Sequence, residues 1–371
     1  MGESKTTDLF SYLDWRGDLP FTADPVNCVD TLIFAALSYI RLDDLLVQNC
    51  REPVTLAALA EQIRAREEAE KRTHISQCLE LIQRAAETKR FSGTGIGFYR
   101  SIFIPEQDTQ FAALAFYPVP GQAVLAYRGT DDTMVGWKED LNMSFQEVVP
   151  AQREALFYLE DFAREQTEEI ILCGHSKGGN LAVFAGAQCA PLLQRRIKAV
   201  YNHDGPGFTG SILGSPGYLA MVPKIHTYVP QSSVIGMLLE HEEPYTVIRS
   251  SETGILQHSP FSWETMGGNF RCMEEVDSGS RFFNRAIKNW LAGMDREQRI
   301  AFVDALFDTL AAGGVARTGD LTQLRNLRNL LKVFSEDEES RKVITGELTG
   351  FFRAAQDLLF RQPEKENNSE E

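Results

Sequence analysis

Apolar residues in the N-terminal quarter recur at helical spacing. Val29, Leu32, Ile33, Ala36 and Leu37 follow Pro25, a residue suited to a first helical turn. Leu56, Leu59 and Ile63 repeat the pattern, and so do Ile75, Leu79 and Ile82. The charged run from Arg64 to Arg72 reads as a solvated helix face. Gly93, Gly95 and Gly97 interrupt this pattern; with Phe98 and Tyr99 next and no helix start, they read as a connector rather than a nucleotide loop. From there short apolar runs alternate with amphipathic ones. Strands are expected over Phe111–Val119 and Ala123–Arg128, joined by the turn residues Pro118, Val119, Pro120 and Gly121. Further strands are expected over Ile170–Cys173, Ala199–Asn202, Ile225–Val229 and Tyr245–Ser250, with a last one over Ile255–Gln257. Helices are expected over Ala151–Glu165 and Lys177–Ala190. The continuous apolar strands suit a parallel sheet buried on both faces.

Past Trp290 the pattern is helical again. Asp295 with Gln298, and Ser335 with Glu338, have capping-box spacing, the second before a helix reaching about Phe360. The expected organisation is a helical segment over 1–92, an α/β core over 93–292, a helical extension over 293–362 and a disordered acidic tail over 363–371. The expected fold class is α/β, a mostly parallel sheet with helices on both faces.

Composition narrows the partners. The chain has 371 residues, a formal charge of −15 and six cysteines, none in a C-x-x-C pair. That charge repels phosphate backbones, so no nucleic acid is expected. No Cys/His cluster has ligand spacing, so neither a metal nor another cofactor is expected. The polar start and the absence of an apolar run near 20 residues predict a cytoplasmic protein without stable membrane insertion. Nothing in the pattern specifies an oligomeric state.

The chemistry concentrates at Gly174-His175-Ser176-Lys177-Gly178, a G-x-S-x-G motif with Gly179 behind it. Such a motif needs a strand before it and a helix after it, so that a sharp turn lifts the serine out. Ile170–Cys173 and Asn180–Ala185 supply both flanks. Ser176 is therefore the expected nucleophile. In this fold the order along the chain is serine, acid, histidine. His258, after the expected last strand, is the candidate base; His175 is expected to point away on the tight turn, and His203 to support the site or pack there. Asp204, ending a strand and followed by Gly205-Pro206-Gly207-Phe208, is the candidate acid. Its rivals Glu240, Glu242 and Glu243 lie in a polar run expected to face solvent. The backbone N–H groups of Thr130 and Lys177 are the candidate oxyanion donors, the Thr130 hydroxyl a further one. Met237 and Leu238 are candidates for an acyl pocket, although apolar residues at that spacing also make plain core.

Tyr127-Arg128-Gly129-Thr130, then Trp137 and Asp140-Leu141, together with the Gly174–Gly179 motif, resemble the class 3 (fungal-type) triacylglycerol lipases. The match runs roughly over Phe111–Phe261. Trp137-Lys138-Glu139-Asp140, Asn202–Phe208 and Pro230-Gln231-Ser232-Ser233 resemble, more closely, a bacterial, mainly Firmicute, family of unknown function. The lipase resemblance implies an α/β-hydrolase fold and cleavage of a small-molecule ester or thioester. It departs at the acid: where class 3 lipases carry it, this chain has Gln231, Ser232 and Ser233, and the Asp204 segment is similar instead to that of pancreatic-type lipases. The segment matching the class 3 lid, Asp131–Asn142, is expected to be too charged to lie on lipid. The alternative reading is a hydrolase fold without catalysis, a scaffold that binds a protein partner through its helical flanks.

Overall fold

A computed structural model of the protein describes residues 7–50, 52–66 and 73–317, and beyond them 320, 325–326, 329, 332–333, 337–338, 340–347 and 349–350. In chain order the elements are α1 (Leu9–Arg16), α2 (Cys28–Leu37), β1 (Val54–Thr55), α3 (Leu56–Arg64), α4 (Thr73–Ala86), β2 (Gly95–Ile104), β3 (Thr109–Val119), β4 (Gln122–Tyr127), α5 (Met134–Asn142) and α6 (Pro150–Glu165). They continue with β5 (Glu169–His175), α7 (Lys177–Gln188), α8 (Pro191–Arg196), β6 (Ile197–His203), α9 (Gly210–Leu213), α10 (Pro216–Met221), β7 (Ile225–Pro230), β8 (Tyr245–Ile248), β9 (Thr265–Met266), β10 (Asn269–Phe270), α11 (Ser278–Ala292) and α12 (Arg296–Ala312).

Among the described residues eight strands form one sheet in the order β1 to β8, with β9 and β10 a separate pair. β1 through β4 run antiparallel to their neighbours, and β4 through β8 run parallel. Parallel strands need crossovers: α6 lies between β4 and β5, α7 between β5 and β6, and α9 and α10 between β6 and β7, while residues 231–244 link β7 to β8 without a helix. The strand pleat then sorts the core. Val124 and Ala126 of β4, with Ile171 and Cys173 of β5, face the helices before β2. Ala123, Leu125, Tyr127, Ile170 and Leu172 face α6 and α7 on the other side. The result is an α/β-hydrolase fold, its parallel strands all ending on one edge.

α2 explains why the N-terminal helices are part of this architecture. All ten of its residues are buried, and it packs across β4, β5 and β6. Phe34 stacks on Phe116 of β3 at 4.4 Å between ring centroids. A helix buried all round has no face for a charge, yet Asp30 sits in its first turn. Arg90 answers it at 2.5 Å, Tyr12 donates to it at 2.8 Å, and Asn27 completes a capping box. Burial still holds the Asp30 carboxyl above the usual range, outweighing the pull of Arg90.

Two expected local structures differ. Gly95 and Gly97 belong to β2 rather than to a connector, because pairing with β3 from Gly95 to Ile104 outweighs the weak strand propensity of glycine. Ile255–Gln257 is not a strand: Gly254–His258 forms a 3₁₀ turn. Ile255 and Leu256 face solvent while Gln257 is buried, and its amide serves Ser232 N–H and Glu252 C=O, which no alternation of apolar residues announces.

The chain divides into two compact units, Met1–Asp277 and Ser278–Glu371. In the second, the capping box of Asp295 and Gln298 opens α12, which buries Phe302, Val303 and Phe307. The Ser335 capping signature, the helix end near Phe360 and the tail from Pro363 lie outside the described residues. No helix among the described residues is long and apolar enough to cross a membrane.

Candidate active site

The end of β5 is built around one strained residue. Ser176 has φ 58° and ψ −135°, a conformation that costs a side-chain-bearing residue about 1–3 kcal/mol. The surroundings over-determine it. Ser176 N–H donates to His203 C=O at 2.9 Å, and Gly179 N–H to Ser176 C=O at 2.9 Å. A Cβ on Gly174 would lie 2.1 Å from the Gly178 backbone, and one on Gly178 2.1 Å from Tyr127 C=O. The glycines of the motif therefore let strand, turn and helix close on one another. Ser176 keeps 9% of its surface exposed while Lys177–Ala187 are all buried behind it.

Because His203 receives the Ser176 N–H, the residue after His203 stands beside the turn. That residue is Asp204, fully buried, at φ 54°, its N–H donating to Tyr228 C=O at 2.8 Å. Its carboxylate has three donors. Oδ1 accepts from Ser233 Oγ at 2.5 Å and from Gly236 N–H at 3.1 Å; Oδ2 accepts from His258 Nδ1 at 2.6 Å. A proton on Nδ1 leaves Nε2 of His258 free to accept. The structure thus joins Asp204 to His258, but no hydrogen bond links His258 to the Ser176 hydroxyl. Contacts of that kind are often long until substrate is bound.

His175 departs from expectation. Its ring does not point away from the site but lies 4.6 Å from the His258 ring, centroid to centroid. Its Nε2 donates to His258 C=O at 2.7 Å, and its Nδ1 accepts from Tyr39 at 3.1 Å. Trp263 Nε1 donates to Gln257 C=O at 2.9 Å. The short turn bearing His258 is therefore held from two sides. His203 packs among Tyr201, Tyr228, Trp263 and Phe270, bonds Thr31 through Nε2 at 3.0 Å, and is driven down to about 3 by burial, hence neutral.

The side chains of Thr130 and Lys177 both reach residues of α5. The Thr130 hydroxyl is not available as an oxyanion donor: it donates to Asp140 Oδ2 at 2.5 Å. Lys177 sends its ammonium inward, to Glu139 Oε2 at 2.9 Å, Gln110 Oε1 at 3.0 Å and Gln110 C=O at 3.1 Å. The backbone N–H groups of Thr130 and Lys177 have no protein acceptor among the described residues. Burial pushes the Asp140 carboxyl up to about 6, against the pull of Lys177 and the Thr130 bond.

Within Asp131–Asn142, Glu139 is buried and Asp140 faces Thr130, while Trp137 and Leu141, 41% and 38% exposed, form the outer side of α5. Asp132 and Lys138 stay partly exposed, Lys138 paired with Asp108 at 3.3 Å. Glu243, expected in solvent, is buried as well: Tyr218 donates to Oε2, and Thr227 and His241 bond Oε1 at 2.7 and 3.0 Å. Burial raises this carboxyl, but those bonds and the charge of His241 bring it below the usual range. Met237 packs against Val229, Val247 and Val276, and Leu238 offers its carbonyl to Gly207 N–H at 2.9 Å. No group of three or more His, Cys, Asp or Glu among the described residues could hold a metal ion.

Sequence reasoning missed Gly236, His241, Tyr39 and Gln257 as parts of this arrangement. Ser233 lay in a quoted motif, but its partner is Asp204, twenty-nine residues away in sequence. No local pattern signals such pairings.

Solved structures similar to this chain include a mutant form of MDLA from Penicillium cyclopium, a fungal lipase, and a fungal lipase–inhibitor complex described as a model for interfacial activation. Each shares 13% identity, with TM-scores of 0.36, 0.36 and 0.37, over 65%, 67% and 67% of this chain and 83%, 84% and 86% of theirs. No curated protein matches. A family model described as Mbeg1-like matches residues 85–308, more than half of the sequence, and the chain belongs to the Mbeg1-like family.

Proposed function

We propose that this protein is a serine hydrolase that cleaves carboxylic esters or thioesters through an acyl-enzyme intermediate. The observation that carries the reading is the Asp204–His258 pair at 2.6 Å, beside a serine in the strained turn of a hydrolase sheet. Ser176 Oγ attacks the acyl carbon while His258 Nε2 takes its proton. His258 then gives that proton to the departing alcohol or thiol. Water, deprotonated by the same nitrogen, hydrolyses the acyl-enzyme and restores the serine. Asp204 holds the Nδ1–H tautomer and stabilises the imidazolium in both halves. The Thr130 and Lys177 N–H groups stabilise the oxyanion, at the start of α7 where the helix dipole favours negative charge.

Fluorophosphonate labelling tests the reading, because only an activated serine reacts quickly. Wild-type protein should label on Ser176 and turn over short nitrophenyl esters, and Ser176→Ala should do neither. A folded wild-type protein that resists the probe and leaves the esters intact would refute it. Such inertness is the behaviour expected of a scaffold without catalysis.

A further inference from the structure

A second histidine–carboxylate pair lies behind the first. His241 Nε2 faces Gly236 C=O at 2.8 Å, and its Nδ1 faces Glu243 Oε1 at 3.0 Å. A carbonyl can only accept. Glu243 accepts already from Thr227 Oγ at 2.7 Å on Oε1 and from Tyr218 on Oε2, so it too is an acceptor here. His241 thus bridges the Gly236 carbonyl and the Glu243 carboxyl. The pair is sealed in: the His241 side chain is 8% exposed and that of Glu243 0%. A buried polar pair of this kind is a costly device unless it holds something in place.

What it holds is Gly236. The Gly236 carbonyl receives the His241 bond, and the Gly236 N–H donates to Asp204 Oδ1 at 3.1 Å. A Cβ there would stand 2.2 Å from that same oxygen, so the backbone is pressed against the carboxylate. The same loop adds Ser233 Oγ, 2.5 Å from Asp204 Oδ1, and is tied to the segment after Asp204 by Gly207 N–H to Leu238 C=O at 2.9 Å. One continuous path thus runs from Glu243 through His241 and Gly236 to Asp204 and His258.

The geometry points to His241 and Glu243 as positioning residues for the acid of the triad. The buried Glu243 carboxyl anchors the His241 ring, and the ring clamps the loop whose amide and hydroxyl fix the Asp204 carboxylate toward His258. The inference rests on the triad reading above for its effect on turnover, but the clamp itself is a property of the Asp204–His258 bond.

Two variants of the full-length protein test it, His241→Phe and Glu243→Gln. The second keeps the shape and one acceptor oxygen, serving either Tyr218 or Thr227, while removing the carboxylate. Ester kcat should fall about tenfold to a hundredfold in each, the cost of a misplaced catalytic group, with KM changed less than twofold. A group needed only for folding would instead lower the amount of active protein and leave kcat per labelled Ser176 unchanged. The second readout is the far-downfield proton NMR signal of His258 Nδ1–H, which should be sharp in wild type and broadened or shifted in both variants. If His241→Phe does not fold, Glu243→Gln carries both measurements. Folded variants with wild-type kcat and an unaltered downfield signal would overturn the clamp. A wild-type protein inert to esters and fluorophosphonate would overturn the functional reading instead, and the downfield signal would still decide the clamp.

Discussion

Asp204→Asn is the most informative single change, because the structure dictates which way the amide must face. Two donors address Oδ1, and one of them, the Gly236 N–H at 3.1 Å, belongs to the backbone and cannot turn into an acceptor. The asparagine oxygen therefore stays at Oδ1, and its NH₂ takes the place of Oδ2, 2.6 Å from His258 Nδ1. An NH₂ donates, so Nδ1 must accept and the ring proton moves to Nε2. That nitrogen then has no lone pair for the Ser176 hydroxyl, and the negative charge that steadied the imidazolium is gone as well. In a serine protease triad the equivalent change lowers kcat about 10⁴-fold, and the same loss is expected here, about 5 kcal/mol of activation free energy. The fold should persist, since asparagine fills the same volume and keeps the Gly236 bond. The assay is kcat for a short nitrophenyl ester, with near-UV circular dichroism to certify tertiary structure. A well-folded Asp204→Asn protein retaining more than a hundredth of wild-type kcat would refute this account of the acid.

Three further outcomes follow from the same geometry. Gly236→Ala puts a methyl group 2.2 Å from Asp204 Oδ1, so the loop or the carboxylate must shift; kcat should fall about tenfold to a hundredfold, and an unchanged kcat in steady-state assays would contradict the close approach. Arg90→Leu abandons Asp30, which is fully buried, and should cost about 3–5 kcal/mol in urea unfolding, whereas the double change to Asp30→Asn with Arg90→Leu should recover part of that loss; equal stabilities would contradict the pairing. Asp140 is held at about 6 in the folded chain against an ordinary 3.8, so its folded form binds the proton more tightly than its unfolded form. Its contribution is therefore greatest below pH 4 and is lost as pH rises through about 6. Asp140→Asn should flatten that part of the decline in urea midpoint between pH 4 and pH 7, and parallel curves for the two proteins would contradict the assignment.

The parts of this molecule that were legible in the sequence are those written locally. The strand, turn and helix around Ser176 are contiguous, and the glycines needed for their close approach sit in the motif itself. The strand that delivers Asp204 and the turn behind it are contiguous too, so the Asp204 position could be read before His258 was seen against it. Illegible were the features decided by partners far along the chain. The buried pairing of Glu139 with Lys177 spans thirty-eight positions, and no local pattern announces it. Glu243 reads as solvated until Tyr218 and Thr227 cover it. The His258 turn looked like a strand because alternation of apolar residues is blind to whether a neighbouring strand exists. The burial of Glu139 within Asp131–Asn142 is hidden for a related reason: composition counts charges but does not say which side of a helix they face.

The burial of α2 bears on where the working protein begins. The family match starts at residue 85, whereas α2 spans Cys28–Leu37 and β1 lies at Val54–Thr55. A fragment cut at residue 85 would lose the helix lying over β4, β5 and β6, the Thr31 hydroxyl that occupies His203, and the Tyr39 hydroxyl that occupies His175. Val124, Ala126, Ile171 and Cys173 would then meet water along one whole side of the sheet. Fragments and chimaeras drawn to the family limits would carry an intact sequence motif on an uncovered, sticky scaffold. The smallest piece worth producing starts ahead of α1.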